Sequence, residues 1–244
     1  SGFWVKNEIS KRLNVHPEKI RFMPHHMSHA AHSFLSSPFD RAALLTLDDA
    51  GAWVCSGLFS GARARGPAAL EPLAVVPFPH SLGLVYSTFT GFLGFKVNDG
   101  ECSTMALAAF GKPSFADQVR EIIRPNADGT YEIEPGYFDF SRDNALPITK
   151  KFIDLFGPPR SFKQKLPFTC FTDNQGPVDS ESQRFADIAA SIQLVLEENV
   201  LRMAKTVQTS TGERNLCLSG GVALNCVAVN KLMESRVFDN VFVP

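Results

Sequence analysis

A strand, a glycine turn, a helix and a second strand follow one another near the C-terminus, and this order constrains the fold more than any other feature. The pattern comprises an apolar strand at Asn215–Ser219, a tight turn at 220–221, a helix at 222–233 and a strand at 237–243. Two strands joined by a helical crossover lie parallel in one sheet. The sequence therefore predicts an α/β fold that contains a parallel strand pair.

An apolar hairpin is predicted earlier in the chain. The unbroken apolar run at 42–47 is typical of a buried strand. Asp and Gly in segment 48–51 predict a turn, and 52–59 resumes as a second strand. Residues 61–71 contain Gly, Arg and Pro and are interpreted as a loop.

A long amphipathic helix is predicted to begin at Ser180. Gln183 stands three residues later, as in a capping box, and the apolar stripe continues to about Val207. The preceding segment, 141–180, is rich in proline and weakly periodic. We therefore expect that segment to be an excursion outside the core.

The composition excludes several classes of protein. The 244 residues include 24 Lys+Arg and 25 Asp+Glu, so the formal net charge is −1. This balance argues against a protein that coats nucleic acid or an anionic membrane surface. No apolar run approaches the roughly eighteen residues of a membrane span. The five cysteines form no CxxC pair, so we expect a reducing, cytoplasmic setting rather than a disulfide framework or a zinc cage.

Four of the six histidines are clustered at positions 25, 26, 29 and 32. On a helix, His25 and His29 lie one turn apart on one face, His32 shares that face, and His26 points elsewhere. Two imidazoles so arranged can bind one divalent metal, although the same spacing also occurs among histidines of a helix surface or a core. The glutamate of HExxH is missing, which excludes that zinc-protease motif.

Four other segments contain candidate functional groups. Asp48 and Asp49 offer carboxylates for a metal or for Mg²⁺–phosphate, or belong to an ordinary hairpin turn. The glycines within 218–225 stand before a helix, where free backbone N–H groups can bind phosphate, or they form a tight turn only. The charged segment 98–101 is a substrate-orienting turn or a solvated loop. Asp139, which lies among aromatic residues, is a candidate general base or simply faces water.

Taken in order, these segments resemble the O-carbamoyltransferase family, which includes nodulation protein U and the cephem and aminoglycoside carbamoyltransferases. The resemblance runs from about His25 to the C-terminus, over the blocks HHMSHAAHSFLSSPF, LLTLDDAGAW, SLGLVYSTFTGFLGFKVNDGE, MALAAFGKP, ADIAASIQ and LCLSGGVALNCVAVNKL. Residues 1–113 and 181–244 correspond to the family core. Residues 114–180 match poorly and are expected to be an insertion-like excursion.

The resemblance implies a fold and a reaction. The fold would be a threonylcarbamoyl-transferase-like domain of the actin, heat-shock-chaperone ATPase and sugar-kinase superfamily, which has ribonuclease-H-like halves. A YrdC-like domain, normally in the same polypeptide, would make carbamoyl-adenylate from carbamoyl phosphate and ATP. The transferase domain would then pass the carbamoyl group to a hydroxyl of a small molecule, in secondary-metabolite or nodulation-factor-type biosynthesis.

The resemblance also assigns residues. His25, His29 and Asp48 match the metal ligands of the family, with Fe(II) as the expected metal and manganese or zinc as alternatives. The nucleotide-binding positions of the family match Gly100, Glu101, Gly220, Gly221, Ala223 and Asn225. The family usually has a small residue at the position of His32; because His32 shares the helical face of His25 and His29, we expect it to add a metal ligand or a supporting contact.

Departures from the family pattern leave two other functions open. Ser103 stands where the family usually has Lys, and Asp49 stands where it has Gly. The opening strands, a later metal-ligand Asp and the YrdC-like domain are absent from this sequence, so we expect that this piece does not complete the reaction by itself. One alternative is a nucleotide- and metal-binding module without catalysis. The other is threonylcarbamoyl transfer to tRNA, which the near-neutral charge disfavours.

Overall fold

A five-stranded mixed sheet organises the protein in the computed structural model, which describes residues 2–63, 69–140, 146–168 and 178–244. The sheet order is β3-β2-β1-β6-β7. Its strands are β1 (Arg41–Gly51), β2 (Val54–Ala62), β3 (Ala69–Pro77), β6 (Asn215–Ser219) and β7 (Asn240–Phe242). The first three strands form an antiparallel meander, whereas β1, β6 and β7 are parallel. The predicted α/β class and parallel pair are confirmed.

Eight α-helices lie within the described ranges. They are α1 (Gly2–Leu13), α2 (His25–Ser36), α3 (Leu82–Phe92), α4 (Glu101–Ala108), α5 (Ala116–Ile122), α6 (Lys150–Phe156), α7 (Ser180–Thr211) and α8 (Cys226–Glu234). None of these helices combines the length and the apolar character that crossing a bilayer demands.

Helices cover both faces of the sheet, which explains the unbroken apolar run of β1. Successive side chains of a strand point to opposite faces. Ala43, Leu45 and Leu47 accordingly join the larger core with α3 and α7. Ala42 and Leu44 join a smaller cluster with α2. A strand buried on both faces shows no alternation of apolar and polar residues.

The segment that was expected to lie outside the core contributes to it. Phe152 and Phe156 of α6 are buried completely or nearly so within the larger cluster, and Phe89 of α3 packs its ring 5.0 Å and 5.2 Å from theirs. Before this segment, β4 (Ile123–Pro125) and β5 (Tyr131–Ile133) form a separate two-stranded antiparallel sheet. The interpretation of 141–180 as an excursion outside the core is therefore wrong for the α6 side chains.

Several boundaries differ from the sequence prediction. Segment 48–51 belongs to β1, which continues irregularly to Gly51 before the chain turns at 52–53. Residues 61–71 are not all loop, because β2 extends to Ala62 and β3 begins at Ala69. Asp179, rather than Ser180, caps α7 by accepting a hydrogen bond from the Ser182 backbone N–H at 2.8 Å.

The parallel pairing of β1 and β6 positions the candidate site. Thr46 pairs with Ser219 at the end of this register, so the residues that follow in each strand lie at the same edge of the sheet. The Ser219 hydroxyl donates to the His29 carbonyl oxygen at 3.1 Å and joins α2 to β6. Asp48, the glycine turn and α2 therefore converge.

Candidate metal centre and adjoining cavity

Helix α2 is amphipathic, and its buried stripe selects which histidines remain free for a ligand. The stripe consists of His26, Ala30, Ser33 and Phe34. Both ring nitrogens of His26 are used in the core: Nδ1 bonds to Thr46 Oγ1 at 2.8 Å and Nε2 bonds to the Val54 carbonyl at 2.9 Å. Burial lowers the pKa of His26, so this ring is a neutral tether between the helix and the sheet.

The structure brings His25, His29 and Asp48 together. Asp48 Oδ2 lies 2.7 Å from His25 Nε2 and 2.9 Å from His29 Nε2, and the two ring nitrogens are 3.0 Å apart. Within the described part of the chain, this is the one group of three potential ligands close enough to hold a single ion. His32 is exposed and lies outside the group.

The second oxygen of Asp48 is held by backbone donors. Oδ1 accepts hydrogen bonds from the Gly221 N–H at 3.1 Å and from the Asp49 N–H at 3.0 Å. Burial raises the pKa of Asp48, but the hydrogen bond with His25 and these backbone donors outweigh it and lower the pKa to about 2. The carboxylate is therefore ionised at neutral pH and connects the histidine pair to the glycine turn.

The donor atoms fit a divalent metal with an open coordination sphere. Donors about 2.1 Å from a metal lie about 3.0 Å apart at a right angle and about 3.4 Å apart at the tetrahedral angle. The separations of 2.7, 2.9 and 3.0 Å are short enough for one ion to contact all three atoms. Two histidines and one carboxylate are a donor set that would suit Fe(II).

The glycine turn starts in a conformation that glycine alone adopts readily. Gly220 has a φ of +95°, and a Cβ there would lie 2.1 Å from the Leu47 carbonyl oxygen. A 3₁₀ turn at Gly221–Leu224 follows, and the Asn225 side chain caps α8 by accepting from the Ala228 N–H at 3.0 Å. The start of α8 is thus four residues later than the predicted 222.

A cavity of about 400 Å³ adjoins this turn. Its walls are formed by Asp49, Gly83, Tyr86, Ser87, Asn98, Asp99, Glu101, Cys102, Met105, Leu196, Gly221, Val222, Leu224 and Asn225. Of the predicted nucleotide positions, Glu101, Gly221 and Asn225 line the cavity, whereas Gly100, Gly220 and Ala223 do not.

The cavity walls are acidic. Asp49, Asp99 and Glu101 line them, with no Lys, Arg or His among the described lining residues. Burial, followed by the charges of Asp48 and Glu101, raises the pKa of Asp49. Glu101 is held by the Ser87 hydroxyl and the Asn98 N–H, each at 3.0 Å from Oε1. Such walls favour cations and hydroxyl groups over bare phosphate.

Asp139 does not belong to the candidate site. It lies outside the ligand triad and outside the cavity lining, and its backbone N–H donates to the Pro147 carbonyl at 3.1 Å. Two further residues beside Asn225 were not predicted from the sequence. The buried Tyr86 hydroxyl donates to Oε1 of the buried Gln193 at 2.8 Å. A glutamine among the apolar residues of α7 was the one sequence feature that could have indicated them.

The fold and this site define an α/β protein with a two-histidine, one-carboxylate centre at the edge of a cavity. Comparison with known families is specific: the family described as "Carbamoyltransferase N-terminus" matches residues 6–244. The chain belongs to the carbamoyltransferase family.

Curated relatives agree with this membership. Nodulation protein NolNO of Sinorhizobium fredii is 31% identical over 94% of this chain and 29% of its own length. Nodulation protein NolO of Bradyrhizobium diazoefficiens is 30% identical over 91% of the chain and 35% of its own length. Uncharacterized protein sll1178 of Synechocystis is 44% identical over 92% and 34%, respectively. The chain spans about a third of the length of these relatives.

Likeness to solved structures adds nothing to the assignment. A complex of CasPhi-2 (Cas12j) with crRNA and phosphorothioate-DNA is 11% identical over 92% of this chain and 41% of its own, with a TM-score of 0.28. A TM-score this low supports no argument about fold or function.

Proposed function

We propose that this chain forms the transferase part of an O-carbamoyltransferase, which moves a carbamoyl group from carbamoyl-adenylate to a hydroxyl of a small-molecule metabolite. The observation that carries the proposal is the link between the ligand triad and the glycine turn. Asp48 bonds to both histidines through one oxygen and to the Gly221 N–H through the other. Family membership supplies the class of reaction.

We propose that His25, His29 and Asp48 hold the metal, which we expect to be Fe(II). Once bound, the metal would supply a Lewis acid and a positive charge for phosphate oxygens. The protein holds Asp48 ionised and aims the two Nε2 atoms at one point. This arrangement needs no covalent nucleophile from the protein.

We propose that the nucleotide reaches the triad through the adjoining cavity. The Gly221 backbone lies beside the triad, and the Asn225 and Glu101 side chains offer polar contacts to a ribose or a phosphate. In the transfer, the acceptor hydroxyl attacks the carbamoyl carbon, a C–O bond forms, and the bond to the adenylate oxygen breaks. AMP leaves, and a cavity carboxylate such as Asp49 takes the hydroxyl proton.

We propose that the fold is one ribonuclease-H-like half of the superfamily and that a YrdC-like domain supplies carbamoyl-adenylate from carbamoyl phosphate and ATP. Support for the fold comes from the three-stranded meander flanked by two parallel strands in the order β3-β2-β1-β6-β7. The described cysteines, Cys55, Cys102, Cys217 and Cys226, are free thiols, which is consistent with the cytoplasm.

The acidic cavity favours a second candidate, a nucleotide- and metal-binding module without catalysis. With no cation among the described lining residues, the phosphates would depend on the metal for charge compensation. Ser103 of α4 stands where the family usually has Lys, so this position also supplies no positive charge for the phosphates.

One experiment separates the two candidates. The full-length protein is supplied with carbamoyl phosphate, ATP, Fe(II) and a panel of sugars and other polyhydroxylated metabolites. Mass spectrometry then detects an acceptor that has gained one carbamoyl group, while His29→Ala is expected to abolish the gain. Binding of Fe(II) and of an ATP analogue without any carbamoylated product would favour the module. No binding of either would refute both candidates.

A further inference from the structure

Gln193 is a buried polar side chain on α7, beside apolar residues of the same helix. It is 4% exposed and lies among Ile192, Val195 and Leu196 on that helix. A buried amide is costly unless its donors and acceptors are satisfied. The partners of this amide therefore indicate why the position is not apolar.

The amides of Gln193 and Asn225 pair reciprocally. Gln193 Nε2 donates to Asn225 Oδ1 and Asn225 Nδ2 donates to Gln193 Oε1, both at 3.0 Å. The Tyr86 hydroxyl also donates to Gln193 Oε1 at 2.8 Å, and Gln193 Nε2 donates to Glu197 Oε1 at 2.9 Å. The reciprocal pair requires one donor and one acceptor on each side, which a carboxylate or an apolar side chain cannot provide.

This pair fixes the far end of the glycine turn. The near end is held by the hydrogen bond from the Gly221 N–H to Asp48. At the far end, Asn225 Oδ1 accepts from both Gln193 and the Ala228 N–H, so its amide also orients the start of α8. Between these two points, segment 221–225 forms part of the cavity wall and is stabilised by two local hydrogen bonds. The Ala223 N–H donates to the Gly220 carbonyl, and the Asn225 N–H donates to the Val222 carbonyl.

We propose that Gln193 is a positioning residue: its amide pair with Asn225 holds turn 220–225 in the orientation that receives the nucleotide. The inference rests on the proposed nucleotide site. It assigns to α7 a role in ligand affinity in addition to its role in the core. Gln193 acts through Asn225 and is absent from the cavity lining, so it does not touch the ligand.

The test compares two substitutions of buried amides on α7 in the full-length protein. Gln193→Met keeps the length of the side chain and removes the amide. Asn199→Leu is the matched control, because Asn199 is 3% exposed and its Nδ2 bonds to the Val195 carbonyl at 2.8 Å, away from the turn. Titration calorimetry measures the affinity for a non-hydrolysable ATP analogue with Mn²⁺ present and for Mn²⁺ alone, and hydrogen exchange reports on the backbone N–H groups of 221–228.

We expect Gln193→Met to weaken the binding of the analogue by about tenfold, because the buried hydrogen bonds that order the turn are lost. We expect the Mn²⁺ affinity to stay within about twofold and the N–H groups of Ala223, Asn225 and Ala228 to exchange faster. Asn199→Leu should lower the unfolding midpoint without either change. If Gln193→Met does not fold, Tyr86→Phe removes one bond of the network; because Tyr86 also lines the cavity, the readout of that variant is faster exchange of 221–228 and not the affinity.

The failure of the positioning role and the failure of the proposed nucleotide site would give different results. Equal exchange and equal analogue affinity in Gln193→Met and Asn199→Leu would overturn the positioning role. If the unaltered protein binds no analogue, the proposed nucleotide site fails, whereas the exchange of 221–228 still decides whether Gln193 orders the turn.

Discussion

Substitution of Gly51 by alanine should disturb the metal centre without changing any ligand. Gly51 is the last residue of β1 and packs against the imidazole of His25. A Cβ at this position would lie 2.0 Å from Cδ2 and 2.2 Å from Cγ of that ring. To restore ordinary contact, the ring must move by about 1.4 Å. Because the ring is rigid, its Nε2 moves as well and leaves the point that it shares with His29 and Asp48.

The size of the effect follows from that displacement. Disturbing one support of a metal site typically lowers affinity by about 10- to 100-fold, or about 1.4 to 2.7 kcal/mol. Titration of the protein with Mn²⁺ would measure it. Gly212→Ala is the matched control: Gly212 has a φ of +67° with no atom within 4 Å of an added Cβ, so this variant should lose about 1 kcal/mol of stability and no metal affinity. Wild-type affinity in Gly51→Ala would refute the packing argument.

Three further results are expected. His25→Ala and His29→Ala should each abolish Mn²⁺ binding. His26→Ala should retain Mn²⁺ binding but lower the urea-derived free energy of unfolding by about 1 to 3 kcal/mol, because two buried hydrogen bonds are lost. An equal loss of Mn²⁺ binding in all three variants would contradict the geometry. Without metal, the unaltered protein should have a higher free energy of unfolding than Asp48→Asn. The difference should be complete above about pH 4 and should disappear as the pH falls towards 2, because folding lowers the pKa of Asp48 from 3.8 to about 2. A difference that does not change with pH in denaturation curves would contradict this expectation. Chelation of the metal should abolish binding of an ATP analogue in calorimetry, since the described cavity walls provide no cation for its phosphates; undiminished binding would show that the acidic walls do not control affinity.

Local patterns made much of the fold predictable. Short sequence patterns indicate three features: the histidine spacing of α2, the burial of β1 on both faces, and the end of α7 at Gly212, which adopts the αL conformation. Strand β3 was not predicted, because Pro72 and Pro77 interrupt its pattern, and an edge strand tolerates proline where a central strand does not. The burial of Phe152 and Phe156 depends on packing against α3, which no local pattern records.

The candidate site was predictable where one helix or one strand end carries it. Helical periodicity places His25 and His29 on one face of α2, and Asp48 stands at the end of a buried strand, but only the resemblance to the family selected these three residues as ligands. The acidic character of the cavity was not predictable, because its walls come from β1, α3, α4 and the glycine turn. Nor was the pairing of Gln193 with Asn225, since the two residues lie 32 positions apart and meet only when α7 packs beside α8.

Anomalous scattering at the manganese edge, from a crystal of this protein soaked in Mn²⁺, would show whether His25, His29 and Asp48 bind one metal ion. We expect a single strong peak about 2.1 to 2.3 Å from His25 Nε2, His29 Nε2 and an oxygen of Asp48. A peak bound elsewhere, or none at this place at a saturating concentration, would contradict this expectation.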